Sequence, residues 1–172
     1  MPRLITITGP IAAGKNTVAD LIAAHYASTG QTTVIADVDD VAHMIVTPGQ
    51  QGPHWFEAHQ AHGALTAAWM RSSVDLVIAV GPVYTEAEQA ALFGVLPSGV
   101  EMCRVLIDAP ITATWDRVNS DKRQGASGRR DFHTSAHERF RSLVDGIPRD
   151  LTFDSAAASP TEIAAAIVNT VG

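Results

Sequence analysis

Short runs of apolar, β-branched residues alternate with segments of helical period along the whole chain. That alternation predicts parallel strands joined by crossover helices. Strands are expected at residues 4–8, 32–36, 74–80, 104–107 and 151–153; the third is a continuous apolar run of the kind buried on both faces. A helix is expected over 14–28, with Val18, Leu21 and Ile22 inward and Gly30 just past its end. Further helices are expected at 41–45, 55–71, 110–118 and 132–144. Thr85 with Glu88, and Ser159-Pro160 with Glu162, mark the starts of two more through capping boxes. Five strands and these helices make one doubly wound α/β domain spanning 1–172.

Between the first strand and the first helix lies Gly9-Pro10-Ile11-Ala12-Ala13-Gly14-Lys15-Asn16-Thr17. This is the Gly-x-x-x-x-Gly-Lys phosphate loop in the context that gives it meaning. Glycines let the backbone N–H groups turn inward, the helix N-terminus adds partial positive charge, and Lys15 adds a full charge at the β- and γ-phosphates. Gly9, Ala12, Ala13, Gly14, Lys15, Asn16 and Thr17 are therefore assigned to a bound nucleoside triphosphate, ATP. The position after the lysine normally carries Ser or Thr, whose hydroxyl ligates Mg²⁺; Asn16 stands there instead. Its carbonyl oxygen is also a hard ligand, acting directly or through water.

The second strand runs into Asp37-Val38-Asp39-Asp40. In an extended segment Asp37 and Asp39 point to one face, at the carboxyl end of a strand, where α/β sheets bind ligands. Asp37 is assigned to the Mg²⁺ shell and Asp39 to the acceptor hydroxyl as orienting group or general base. The alternative is that Asp39 or Asp40 caps a helix beginning at Val41.

Composition narrows the classes. With 46% hydrophobic and 17% charged residues and a net charge of −6, the chain lacks the broad basic face of a general nucleic-acid binder. No stretch approaches the roughly 20 apolar residues of a membrane span. The single Cys103 and the lack of a signal-peptide core point to a cytoplasmic protein. Against the acidic background, residues 119–130 stand out. Arg117, Lys122, Arg123, Arg129 and Arg130 face a single acid, Asp121, with Gly125 and Gly128 as hinges. Such a segment is a candidate lid whose arginine forks clamp a transferred phosphoryl group. Arg129 and Arg130 are the first candidates, Arg123 the next; the alternative is a solvated charged loop. Arg117 stands near the adenine or pairs with Asp121.

Met44, His54, Trp55, Phe56, His59, His62 and Trp69 concentrate rings in a chain with few aromatics. They line a pocket for a partly apolar or ring-containing acceptor; the alternative is that Trp55, Phe56 and Trp69 form helix-on-sheet core. His59 and His62 are placed to share a metal if a third ligand exists.

Phosphate loop, Asp-x-Asp turn, arginine lid and strand succession together resemble the small ATP-dependent phosphotransferases of the nucleoside- and nucleotide-kinase-like superfamily. The nearest group is that of chloramphenicol phosphotransferase, shikimate kinase and gluconate kinase. The resemblance implies a P-loop three-layer α/β/α sandwich with a parallel sheet of order 2-3-1-4-5 and a short basic lid. It implies a carboxylate on the acceptor hydroxyl, matched here by Asp39, with Asp37 on the metal side. Asp154 and Ser155 fall where such kinases hold the adenine. The expected activity is an ATP- and Mg²⁺-dependent kinase acting on a hydroxyl of a small molecule, as monomer or homodimer. The rival reading is a regulatory nucleotide switch; no Asn-Lys-x-Asp tetrad points to guanine.

Overall fold

The computed structural model describes residues 1–46, 54–120 and 128–172. Its centre is one parallel sheet of five strands, β1 Arg3–Thr8, β2 Thr33–Asp37, β3 Leu76–Val80, β4 Met102–Asp108 and β5 Leu151–Asp154, in the order β2-β3-β1-β4-β5. The helices are α1 Lys15–Ser28, α2 Val38–His43, α3 Trp55–Trp69, α4 Glu86–Phe93, α5 Ile111–Ser120, α6 Arg130–Leu143 and α7 Pro160–Val171. The expected three-layer sandwich and strand order are thus observed.

Alternation along β1 divides the core. Ile5 and Ile7 face one side, where Ile78, Val80 and Ile107 of the neighbouring strands meet Val18, Ile22 and Tyr26 of α1 and Ile163 and Ile167 of α7. Leu4 faces the other, with Val77, Met70 and Leu92. Each fully buried aliphatic chain contributes roughly 1.5–3 kcal/mol by leaving water. Gly63 allows α3 to lie directly on α4, because a Cβ there would collide with the Ala91 carbonyl.

Both expected capping boxes form, Thr85 with Glu88 and Ser159 with Glu162, and Pro160 opens α7. Most boundaries shift by one to three residues, and those beside the loop and the lid matter here. The helix expected from 41 begins at Val38, and its cap is Asp37, whose side chain accepts from the Asp39 N–H, not Asp39 or Asp40. The strand ends one residue later than expected because Asp37 serves both elements, and Asp39 lies in the first helical turn instead of on an extended face. At the lid, Asn119 and Ser120 belong to α5 and Arg130 opens α6. The middle of that segment, with Asp121, Lys122, Arg123 and Gly125, lies outside the described residues.

Candidate active site

The loop after β1 closes over the carboxyl edge of the sheet. Gly9, at φ 152, passes so close to β4 that a Cβ would strike the Ile107 carbonyl oxygen. Ala12 takes φ 56, the left-handed region, which costs a residue with a Cβ about 1–2 kcal/mol. Gly14 is the N-cap of α1, and the first turn of that helix has neither a side-chain cap nor an acidic residue. Its orphan N–H groups and partial positive charge therefore face the loop. Lys15 folds back so that Nζ donates to Gly9 O at 3.1 Å and Pro10 O at 2.8 Å. Burial draws its pKa below the usual lysine value, against the opposing pull of Asp39 and Asp37.

The acidic turn is fastened to this loop. Asn16 Nδ2 donates to Asp37 Oδ2 at 2.7 Å, while Asp37 Oδ1 accepts from Asp39 N at 2.9 Å. Asp37 is buried, and both of its oxygens are engaged. With Asn16 Nδ2 directed at the carboxylate, its Oδ1 is the atom left for other partners. Asp39 reaches solvent, yet the surrounding protein mass and the Asp37 carboxylate push its pKa up, with Lys15 and His43 pulling it down. A neutral amide oxygen, a buried carboxylate and an uncapped helix start form a hard-oxygen and anion-binding set. They fit a magnesium-bound nucleotide triphosphate.

A third wall comes from the loop after β3. Tyr84 Oη donates to Gly9 O at 2.7 Å, and Val83 N donates to Thr8 Oγ1 at 3.2 Å. Burial pushes the Tyr84 pKa well up. Glu88 gathers the elements around it. Its Oε2 accepts from Tyr84 N at 2.7 Å and Thr85 N at 2.9 Å, and its Oε1 pairs with Arg139 of α6. Arg139 also lies over the Tyr84 ring, 5.2 Å from its centroid. His59 Nε2 stands 3.8 Å from Glu88 Oε1. Sequence reading missed Arg139 and saw Glu88 only as a helix cap; the Thr85-x-x-Glu88 pattern shows one carboxylate oxygen's task and is silent on the other.

His59 and His62 are buried and separately engaged, His62 donating from Nε2 to Ala36 O at 2.9 Å. Burial lowers both pKa values. Among the described residues no group of three His, Cys, Asp or Glu is placed to hold a metal. The rings split from the histidines: Trp55, Phe56 and Trp69 are 38%, 61% and 37% exposed, and Met44 is 74% exposed. The three rings are not the buried core that was the alternative for them.

At the opposite end of the loop, Arg117 Nη1 donates to Ala12 O at 3.2 Å and Ser155 Oγ at 3.0 Å, and Nη2 donates to Ser155 O at 2.6 Å. Asp154 Oδ1 accepts from Ala156 N, closing its own turn. Arg129 pairs with Asp131 at 2.8 Å in solvent, and Arg130 stacks over Trp115. Arg123 lies outside the described residues. The structure thus joins Lys15, Asn16, Asp37 and Asp39 around one loop, adds Arg117 and Ser155 at its side, and holds Arg129 and Arg130 on the α5–α6 side.

Among the described residues, no helix is long and apolar enough to cross a membrane. No family model matches the sequence, and neither does any curated protein. Solved structures do match in shape. APS kinase of Mycobacterium tuberculosis, solved in complex with AMPPNP and APS, is 16% identical with a TM-score of 0.69, over 98% of this chain and 96% of that one. Shikimate kinase of Acinetobacter baumannii, in complex with shikimate, is 15% identical with a TM-score of 0.64, over 99% and 93%. The tunicamycin resistance protein of Deinococcus radiodurans is 18% identical with a TM-score of 0.63, over 100% and 96%. The five-stranded parallel sheet of order 2-3-1-4-5 and its flanking helices match the fold of these neighbours, and the chain has the P-loop kinase fold.

Proposed function

We propose that the protein is an ATP- and Mg²⁺-dependent kinase that moves the γ-phosphoryl group to a hydroxyl of a small molecule. The observation that supports this most is the Asn16–Asp37 hydrogen bond, which pulls the acidic turn against the phosphate loop and brings Asp39 beside Lys15. Donor and acceptor machinery then meet at one place. Two of the solved structures with this fold are named as kinases and hold small molecules, APS and shikimate.

The loop amides from Gly9 to Thr17 and the Lys15 ammonium hold the triphosphate. Asn16 Oδ1 and the Asp37 carboxylate are the residues to hold Mg²⁺, which when bound neutralises charge between the β- and γ-phosphates. Asp39 accepts the hydroxyl proton as the acceptor oxygen attacks phosphorus and the bond to the ADP oxygen breaks. Its raised pKa suits that task, because a more basic carboxylate takes a proton more readily. Arg123, Arg129 and Arg130 supply the lid contacts to the transferred group, and Asp154 and Ser155 border the base. The exposed Met44, Trp55 and Phe56 flank the acceptor side and suit an acceptor with an apolar or ring-bearing portion.

The test is ADP release with Mg²⁺ and ATP across a panel of nucleosides, sugars, hydroxy acids and phenicol-like compounds. Release that depends on one acceptor class, with a phosphorylated product, is the expected result. Slow hydrolysis indifferent to every acceptor, together with nucleotide-dependent binding to a protein, would support the switch reading instead.

A further inference from the structure

Among the described residues, Ala12 is the one non-glycine residue with positive φ, and it sits in the phosphate loop. Its carbonyl accepts from Arg117 Nη1. The guanidinium is itself fixed by Ser155, through Oγ on Nη1 and through the backbone oxygen on Nη2. Ser155 is pinned in turn, its N and Oγ both donating to Asp108 O at the end of β4, at 2.9 Å and 3.2 Å. An unbroken path of hydrogen bonds therefore runs from the sheet to the one loop residue whose backbone resists its own conformation.

We propose that Arg117 is a positioning residue that keeps the phosphate loop in its nucleotide-binding shape by holding Ala12 in the left-handed region. The inference rests on the loop's being a nucleotide site. If Ala12 relaxed toward negative φ, the peptide planes on either side would rotate and the N–H groups of Ala12 and Ala13 would turn from the phosphates. A glycine at this position would take φ 56 without resistance and need no such hold. Arg117 thus acts through Ala12, not by touching the nucleotide.

The experiment is a double-substitution cycle on the full chain: Arg117→Ala, Ala12→Gly and the pair. It is read by titration with AMPPNP and Mg²⁺ and, without nucleotide, by urea unfolding. We expect Arg117→Ala to weaken AMPPNP binding about tenfold, about 1.4 kcal/mol. In the Ala12→Gly background the same substitution should cost no more than about twofold, the non-additivity of residues in contact. An equal loss in both backgrounds overturns the proposal and makes Arg117 a direct nucleotide contact. Arg117→Lys keeps the charge and stem but not the fork, and should fall between the two; wild-type affinity in that variant also overturns it. If the chain binds no AMPPNP, the nucleotide reading fails by itself. The urea cycle then decides the inference, coupling between the two sites sustaining it and additivity ending it.

Discussion

Asn16 donates its side-chain amide to Asp37 across 2.7 Å, joining the first turn of α1 to the last residue of β2. In a loop ending in Ser or Thr, one hydroxyl oxygen both donates to a nearby group and ligates the metal. In the proposed site Asn16 divides those tasks between Nδ2, which donates to Asp37, and Oδ1. We expect Asn16→Ser to retain Mg²⁺-dependent nucleotide binding. Asn16→Asp should set two carboxylates together and cost about 1–3 kcal/mol of stability at neutral pH. Urea unfolding across pH checks it: the loss should shrink in acid, where one carboxyl of the pair takes a proton.

In the proposed mechanism Asp39 carries the acceptor half. Its pKa is raised by its surroundings and by Asp37, so kcat/KM should fall as pH drops through a value above that of an ordinary carboxylate. Asp39→Asn should abolish transfer and leave AMPPNP affinity in place. A raised folded-state pKa also means that the ionised side chain opposes folding. The associated stability is present in acid and lost as pH rises through the folded pKa. Asp39→Asn should therefore stabilise the chain at pH 7, by about 1 kcal/mol or less given its access to solvent. A transfer-competent Asp39→Asn protein would end the base assignment.

Glu88 offers the opposite sign. Burial of its carboxyl works upward, but the Thr85 and Tyr84 N–H groups and Arg139 outweigh it and hold the pKa below the usual glutamate range. Its contribution is thus present above the unfolded value of about 4.3 and lost as pH falls through the lower folded value. We expect Glu88→Gln to cost about 2 kcal/mol at pH 7 and to flatten the acid limb of stability. A stability–pH curve parallel to that of the unsubstituted chain would show that the cluster around Glu88 is held by other groups.

Tyr84→Phe removes the donor to Gly9 O while Lys15 Nζ remains on that oxygen. Because the carbonyl keeps a partner, the expected cost is about 1 kcal/mol, measured by urea unfolding. The expected change in AMPPNP affinity is small beside that of Lys15→Ala.

Arg129 is tied to Asp131 and Arg130 to Trp115. If either swings onto the transferred group, its replacement by Ala should lower kcat by as much as about 10³ with little change in ATP affinity. Steady-state kinetics on both variants, with AMPPNP titration beside them, make the comparison. Unchanged kcat in both would remove the pair from the mechanism.

What could be read from sequence were local features with strong steric or hydrogen-bonding grammar. Gly9 and Lys15 sit at fixed spacing between a strand and a helix, and Thr85–Glu88 and Ser159–Glu162 have the fixed spacing of capping boxes. Asp37 stands against Asn16 of the loop, and it also caps α2, a role the sequence offered only to Asp39 or Asp40 and only as the alternative to their chemistry. Three acids in a row satisfy the same local rule, and only the turn of the backbone chooses between them. Arg139 and the partners of Arg117 were illegible for another reason. Each pairs across 51 or 105 residues of chain, with Glu88 and Ala12 respectively, and no spacing rule connects such positions. The exposure of Trp55 and Phe56 escaped for a third: a large aromatic satisfies the composition of either core or cleft, and the angular position of α3 settles which.

The contact at Gly63 fixes more than a helix pair. With its middle pressed backbone to backbone on α4, α3 has no room to slide there. Its opening turn, with Trp55 and Phe56, lies away from that contact and is free to change. If the proposed function holds, a few replacements there would exchange one acceptor for another and leave the phosphate loop untouched.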